Sequence, residues 1–86
     1  MHTVDMLEAA LTLARQVGYR VREEWLDGRG GGGCEIQGQK WIFLDLALPI
    51  DEQLETVLDA LRADPNVLVA AVPEGLRHLL GIQKSA

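Results

Sequence analysis

Eighty-six residues allow one folded domain and no second core, and a chain this short hides only about 60–65% of its unfolded surface. Hydrophobic residues at 48% and charged ones at 24% exclude a disordered chain, and no apolar run nears the ~20 residues of a membrane helix because Asp45 interrupts "WIFLDLALPI". The formal charge is −5 and the eight basic residues are scattered, so the clustered basic footprint of a nucleic-acid-binding protein is missing.

The first predicted element is a helix over about residues 4–17. Leu7, Ala10, Leu11 and Ala14 recur at i, i+3, i+4 and i+7. Asp5 and Glu8 have the spacing of a capping box, and Gly18 stands where a left-handed C-terminal cap belongs. "YRVREEWL" then changes period. Tyr19, Val21 and Trp25 alternate with Arg20, Arg22 and Glu24, as in a strand with one wet face, while Glu23 breaks the apolar side.

Beyond the glycines, "CEIQ" and "QKWIFLDL" predict a hairpin closed by the two-residue turn Gln37-Gly38. Trp41, Ile42, Phe43 and Leu44 leave the second of these strands no wet face, so it is expected at the centre of the sheet, covered on both sides or at least partly so. A second helix follows, with Leu54, Val57, Leu58 and Leu61 as its apolar stripe. Asp51, Glu52 and Glu55 suit its positive end, and Asp64-Pro65-Asn66 ends it. "VLVAAV" suits a buried strand or extended segment. "PEGLRHLLG" suits a short helix with Pro73 in its first turn, Gly81 as its cap and Leu76, Leu79 and Leu80 facing inward. "IQKSA" is expected to fray. The predicted fold class is α+β: a single domain over residues 1–86 with a three-stranded, mainly antiparallel sheet containing a hairpin, packed against helices.

The stretch "DGRGGGGCEIQGQKW" poses the question of chemistry. Gly28, Gly30 and Gly33 satisfy Gly-x-Gly-x-x-Gly, but a strand follows where a dinucleotide site needs a helix N-terminus. Gly33 and Gly38 have P-loop spacing, but Gln39 and Trp41 stand where lysine and serine or threonine are required. Cys34 beside glycine backbone could act as a nucleophile. It lacks an evident base, since the two histidines are His2 and His78, and burial beside Ile36 is the stronger expectation. Glu74 and His78 lie at i and i+4, short of the three or four ligands of a zinc site, so no metal and no cofactor is expected. The remaining reading makes Gly30, Gly31, Gly32 and Gly33 a mobile, exposed connection that a partner's backbone could approach closely.

A helix, a strand, a glycine-containing link and a hairpin running into "WIFLDLALPIDEQLETVLDAL" resemble the front part of ImmA/IrrE-type zinc metallopeptidases over about forty residues. Asp59, Ala60 and Ala63 stand where that family's His-Glu-x-x-His motif would lie, so the resemblance implies a metal-free relative and carries over no catalytic residue. The "GGGC" run with "KWIFLDL" and the Asp-Glu-Gln-Leu helix start is also similar to short uncharacterised bacterial proteins.

The leading functional expectation is a non-enzymatic binding or assembly module, not an enzyme. It would act by protein–protein contact as a homodimer or on another protein, with no nucleic acid and no membrane. Trp25, Trp41, Phe43 and Tyr19 would gather the aromatics on one sheet, and an open sheet edge invites strand pairing. The alternatives are a thiol-dependent enzyme or redox protein using Cys34, and a small-ligand carrier with the glycine run as a lid. One cysteine and an N-terminus with acids but no basic region suit a reducing cytoplasm.

Overall fold

The computed structural model describes residues 2–82. Element order is α1 (Thr3–Gln16), β1 (Tyr19–Glu24), β2 (Gly32–Ile36), β3 (Gln39–Asp45), α2 (Ile50–Arg62), a 3-10 helix (Pro65–Val69) and α3 (Glu74–Arg77). The α+β class, the hairpin, the central apolar strand and the three helices stand as the sequence predicts. The expected fraying of the tail falls mostly on residues 83–86, outside the described residues. No helix among the described residues is long and apolar enough to cross a membrane.

The sheet order is β1-β3-β2, with β2 antiparallel and β1 parallel to β3. The sheet is therefore mixed, and the expectation of a mainly antiparallel one is corrected for the β1 pairing. The cause is the route of the chain. Residues 25–31 cross the end of β3 before β2 starts, so β3 returns between its two predecessors and runs the same way as β1.

Turn chemistry fixes the hairpin. Gln37 and Gly38 both have positive φ, 51° and 81°, the pair of values a type I′ turn requires. In the register that follows, Cys34 faces Trp41, Glu35 faces Lys40 and Gly33 faces Ile42.

Both long helices lie on one face of the sheet. Leu7, Ala10, Leu11, Leu13 and Ala14 of α1 meet Leu54, Val57, Leu58 and Leu61 of α2 over Ile42 and Leu44. Strand alternation then places Trp41 and Phe43 on the opposite face, where their rings stack at 6.0 Å and the Arg20 guanidinium lies 5.8 Å from the Trp41 ring. No helix among the described residues covers that face.

Two local expectations change. Helix α1 begins at Thr3 after His2, so Asp5 lies in its first turn and the Asp5–Glu8 box is not formed. "VLVAAV" is not a strand: the Asp64 carboxylate accepts from the Asn66 amide at 2.9 Å and Pro65 presets the turn, so the first three residues complete a 3-10 helix, and only from Ala70 is the backbone extended. Val67 and Leu76 are buried, and Leu68 is exposed.

The crossing loop depends on Asp45, which is fully buried at the end of β3. Its carboxylate accepts from the backbone amides of Leu26 at 3.0 Å, Gly30 at 3.0 Å and Ala47 at 2.9 Å. Burial pushes this carboxyl up, but the bonds from Leu26, Ala47, Gly30 and Gly28 outweigh it and hold the group below its ordinary value. A Cβ on Gly31 would lie 1.7 Å from the Phe43 carbonyl oxygen, so only glycine allows the loop to lie this close to β3.

Replacing Gly31 with alanine is expected to cost about 2–3 kcal/mol in urea unfolding, because backbone must move. Gly28→Ala, with nothing within 4 Å but a φ of 78°, should cost only about 1–2 kcal/mol. Because Asp45 titrates lower folded than unfolded, its stabilisation is present above the unfolded value of 3.8 and is lost as pH falls through the folded one. Asp45→Asn should therefore be less stable at neutral pH and lose less stability on acidification, as read from urea midpoints.

Candidate functional site

A groove of about 600 Å³ lies between the outer edge of β2 and the side of α2. One wall is five consecutive residues, Gly31 to Glu35. The other is Thr56, Asp59, Ala60 and Ala63, the i, i+3, i+4, i+7 stripe that adjoins the buried stripe of the same helix. The walls are similar in length: the eight positions from Thr56 to Ala63 rise about 10 Å and five residues of strand span about 14 Å. They are close because neither has bulk between them. A Cβ on Gly33 would stand 3.0 Å from the Ala60 Cβ.

One end of the groove is closed by a polar cluster. The Lys40 ammonium donates to Asp64 at 2.7 Å and lies 4.6 Å from the centre of the Tyr19 ring. Asp64 is nearly buried, with its side chain 6% exposed against 24% for Lys40, and also accepts from the Tyr19 hydroxyl. Burial raises the Asp64 carboxyl, but the bonds from Lys40, Asn66 and Tyr19 hold it below its ordinary value. Burial and the neighbouring Asp64 carboxylate push the Tyr19 phenol up to about 12. The cluster ties β1, β3 and the end of α2 together. Its lysine is committed to Asp64.

Among the described residues, no strand pairs with the outer edge of β2. In a hairpin with a two-residue loop, Ile36 and Gln39 exchange hydrogen bonds, and the pattern then alternates. The amide and carbonyl of Gly33 and Glu35 therefore point away from β3. Both residues are exposed, as are Cys34 and Ile36. The opposite edge differs: β1 carries Arg20, Arg22, Glu23 and Glu24, a charged guard of the kind that blunts sheet edges.

The residues singled out from the sequence are thus divided. Gly31, Gly32 and Gly33 line the groove, with Gly32 and Gly33 inside β2 itself, while Gly30 serves the loop by donating to Asp45. The run is exposed over much of its length, but its loop portion is tied to Asp45 rather than left loose. Cys34 is exposed, not in the core, because it belongs to the face shared with Trp41 and that face has no cover. Trp41 lies across the sheet from the groove's helical wall. Trp25 is 72% exposed beyond β1 and does not line the groove.

No histidine lines the groove, so no imidazole stands ready as a base for Cys34. Among the described residues no three His, Cys, Asp or Glu side chains gather in a cluster that could hold a metal. No family model, curated protein or solved structure matches the chain.

Sequence reasoning missed Asp45, the Tyr19–Lys40–Asp64 cluster and the outer stripe of α2. Asp45 had a signal, as the charge that interrupts the apolar run "WIFLDLALPI". Asp64 had another, in the Asp-Pro-Asn order of a capped turn. The cluster depends on residues 24 positions apart, which only the fold joins.

Tyr19 is the sole tyrosine, so the ultraviolet absorbance of its phenolate reports the cluster alone. The folded protein is expected to titrate near 12, and Asp64→Asn to lower the value part of the way, since burial, the larger cause, remains. Since the folded phenol holds its proton more tightly than the unfolded one, the contribution of Tyr19 to stability is intact below pH 10. It declines as pH rises toward about 12.

Proposed function

We propose that this protein is a non-enzymatic binding module that receives an extended segment of another protein as an added strand along β2. The observation that carries the reading is the groove's two walls: an unpaired strand edge on one side and a helical stripe of small residues on the other. Strand addition needs these two features. Outward amides and carbonyls supply the hydrogen bonds, and space beside the helix admits every second side chain of the incoming strand.

A second copy pairing through its own β2 fits this edge less well. The closeness of Gly33 to Ala60 sets α2 over the edge strand. A partner β2 would bring its own α2 about one strand spacing away, ~5 Å, whereas packed helices need about 8–10 Å. A lone strand avoids that conflict. Light scattering over a dilution series separates the cases, and a concentration-dependent dimer would favour self-assembly.

The exposure of Cys34 keeps a thiol-dependent reading in view. It requires a group that holds the thiolate, and the one lysine of the groove is bonded to Asp64. Cys34→Ala is therefore expected to leave binding unchanged, whereas the thiol reading requires it to abolish activity.

The direct test is nuclear magnetic resonance titration of the isotope-labelled protein with a blocked pentapeptide of alternating threonine and valine. Shifts are expected at the amides of Gly33, Glu35, Ala60 and Ala63. Ala63→Leu, at an exposed position on the same wall, adds bulk to the groove without entering the contact between Ala60 and Gly33, and should remove them with the remaining spectrum intact. Shifts confined to Trp41 and Phe43, or none at saturating peptide, would overturn strand addition here.

A further inference from the structure

The groove has a charge pattern as well as a shape. Among the described residues, three carboxylates, those of Glu35, Asp59 and Asp64, line it against one ammonium, that of Lys40. The ammonium is bonded to Asp64 at 2.7 Å and leaves Glu35 and Asp59 unopposed from within the groove. Asp59 shares the Arg62 guanidinium with Glu55, at 2.9 and 3.1 Å, so this outer side of α2 remains net negative.

We propose that the segment taken by this groove is basic, with a lysine or arginine opposite Glu35 and a small apolar residue opposite Gly33. The inference rests on the strand-addition reading and names the partner's chemistry. Gly33 and Glu35 are two apart on β2 and share the helix side of the sheet with Ile42 and Lys40, their partners on β3. Residues of an added strand paired with them face the same side. The one opposite Gly33 meets no side chain on β2 and finds Ala60 above it, which suits an aliphatic group of valine size. The one opposite Glu35 meets a carboxylate. A cation there forms a favourable cross-strand pair, and an acid is repelled.

The two residues stand at i and i+2 of the partner, so the signature is a basic and an aliphatic residue separated by one. Side chains at the intervening positions belong to the other face, beside Cys34 and Trp41.

The test uses two blocked pentapeptides, threonine-valine-threonine-lysine-threonine and its counterpart with glutamate in fourth place, each titrated into the isotope-labelled protein. The lysine peptide is expected to bind more tightly by on the order of tenfold at low salt, with the gap narrowing as salt is raised. Glu35→Lys should reverse the preference. Glu35 is exposed in an edge strand, and the spectrum of the variant shows directly that the fold is kept. Equal binding of both peptides at β2 would overturn the basic-partner inference and leave strand addition standing. Binding of neither peptide would overturn strand addition itself.

Discussion

A carboxylate with no cation beside it organises the upper half of this sheet. Asp45 is buried, and its charge is balanced by backbone amides alone, drawn from the crossing loop on one side and from the turn into α2 on the other. Those amides would otherwise be donors without partners at a point where two chain segments pass each other. The arrangement lets one short side chain close three local problems. The loop gains an anchor, β3 gains an end, and the turn toward α2 is held by the hydrogen bond from the Ala47 amide to the carboxylate.

The glycine run follows from this crossing. A loop that passes over the end of β3 must lie against its backbone, and at Gly31 the contact leaves no room for a side chain. Asp27 and Gly28, both with positive φ, turn the chain before it crosses. Gly33 serves a separate need, the approach of α2 at Ala60. One run of like residues thus meets several steric demands. A phosphate loop would instead direct its amides at a ligand, and here the amides of Gly28 and Gly30 are directed at Asp45.

Much of the fold was legible because it rests on local rules. The periodicity of Leu7 to Ala14 and of Leu54 to Leu61 named the helices and their buried faces. Gln37-Gly38 named the turn, and the unbroken run from Trp41 to Leu44 named the central strand. What was not legible depends on strand order. Reading a direct hairpin suggested a mainly antiparallel sheet, whereas the chain inserts β3 between β1 and β2 and makes β1 parallel to it. Burial of Cys34 was expected from its residue type, but its face was decided by pairing with Trp41 on a sheet covered from one side. The groove escaped for a similar reason. Thr56, Asp59, Ala60 and Ala63 look like an ordinary solvated flank until β2 is placed beside them.

The two exposed parts of the sheet are not equivalent, and the difference is what favours the β2 edge in the proposed reading. On the bare face, Trp41 and Phe43 cover each other and Arg20 covers Trp41, so the apolar area is partly satisfied within the chain. At the β2 edge the outward amides and carbonyls of Gly33 and Glu35 have no such internal cover. Water satisfies them in the isolated protein, so the gain from an added strand comes less from the hydrogen bonds than from what they align. Alignment places side chains in the groove, where apolar contact with Ala60 and Ala63 and charge at Glu35 can discriminate among sequences. An edge alone would pair with any extended chain, and the charged guard on β1 shows one remedy for that hazard. At β2 the helix set over the edge supplies another under the proposed reading, because it leaves room for one strand more readily than for a second sheet carrying its own helix.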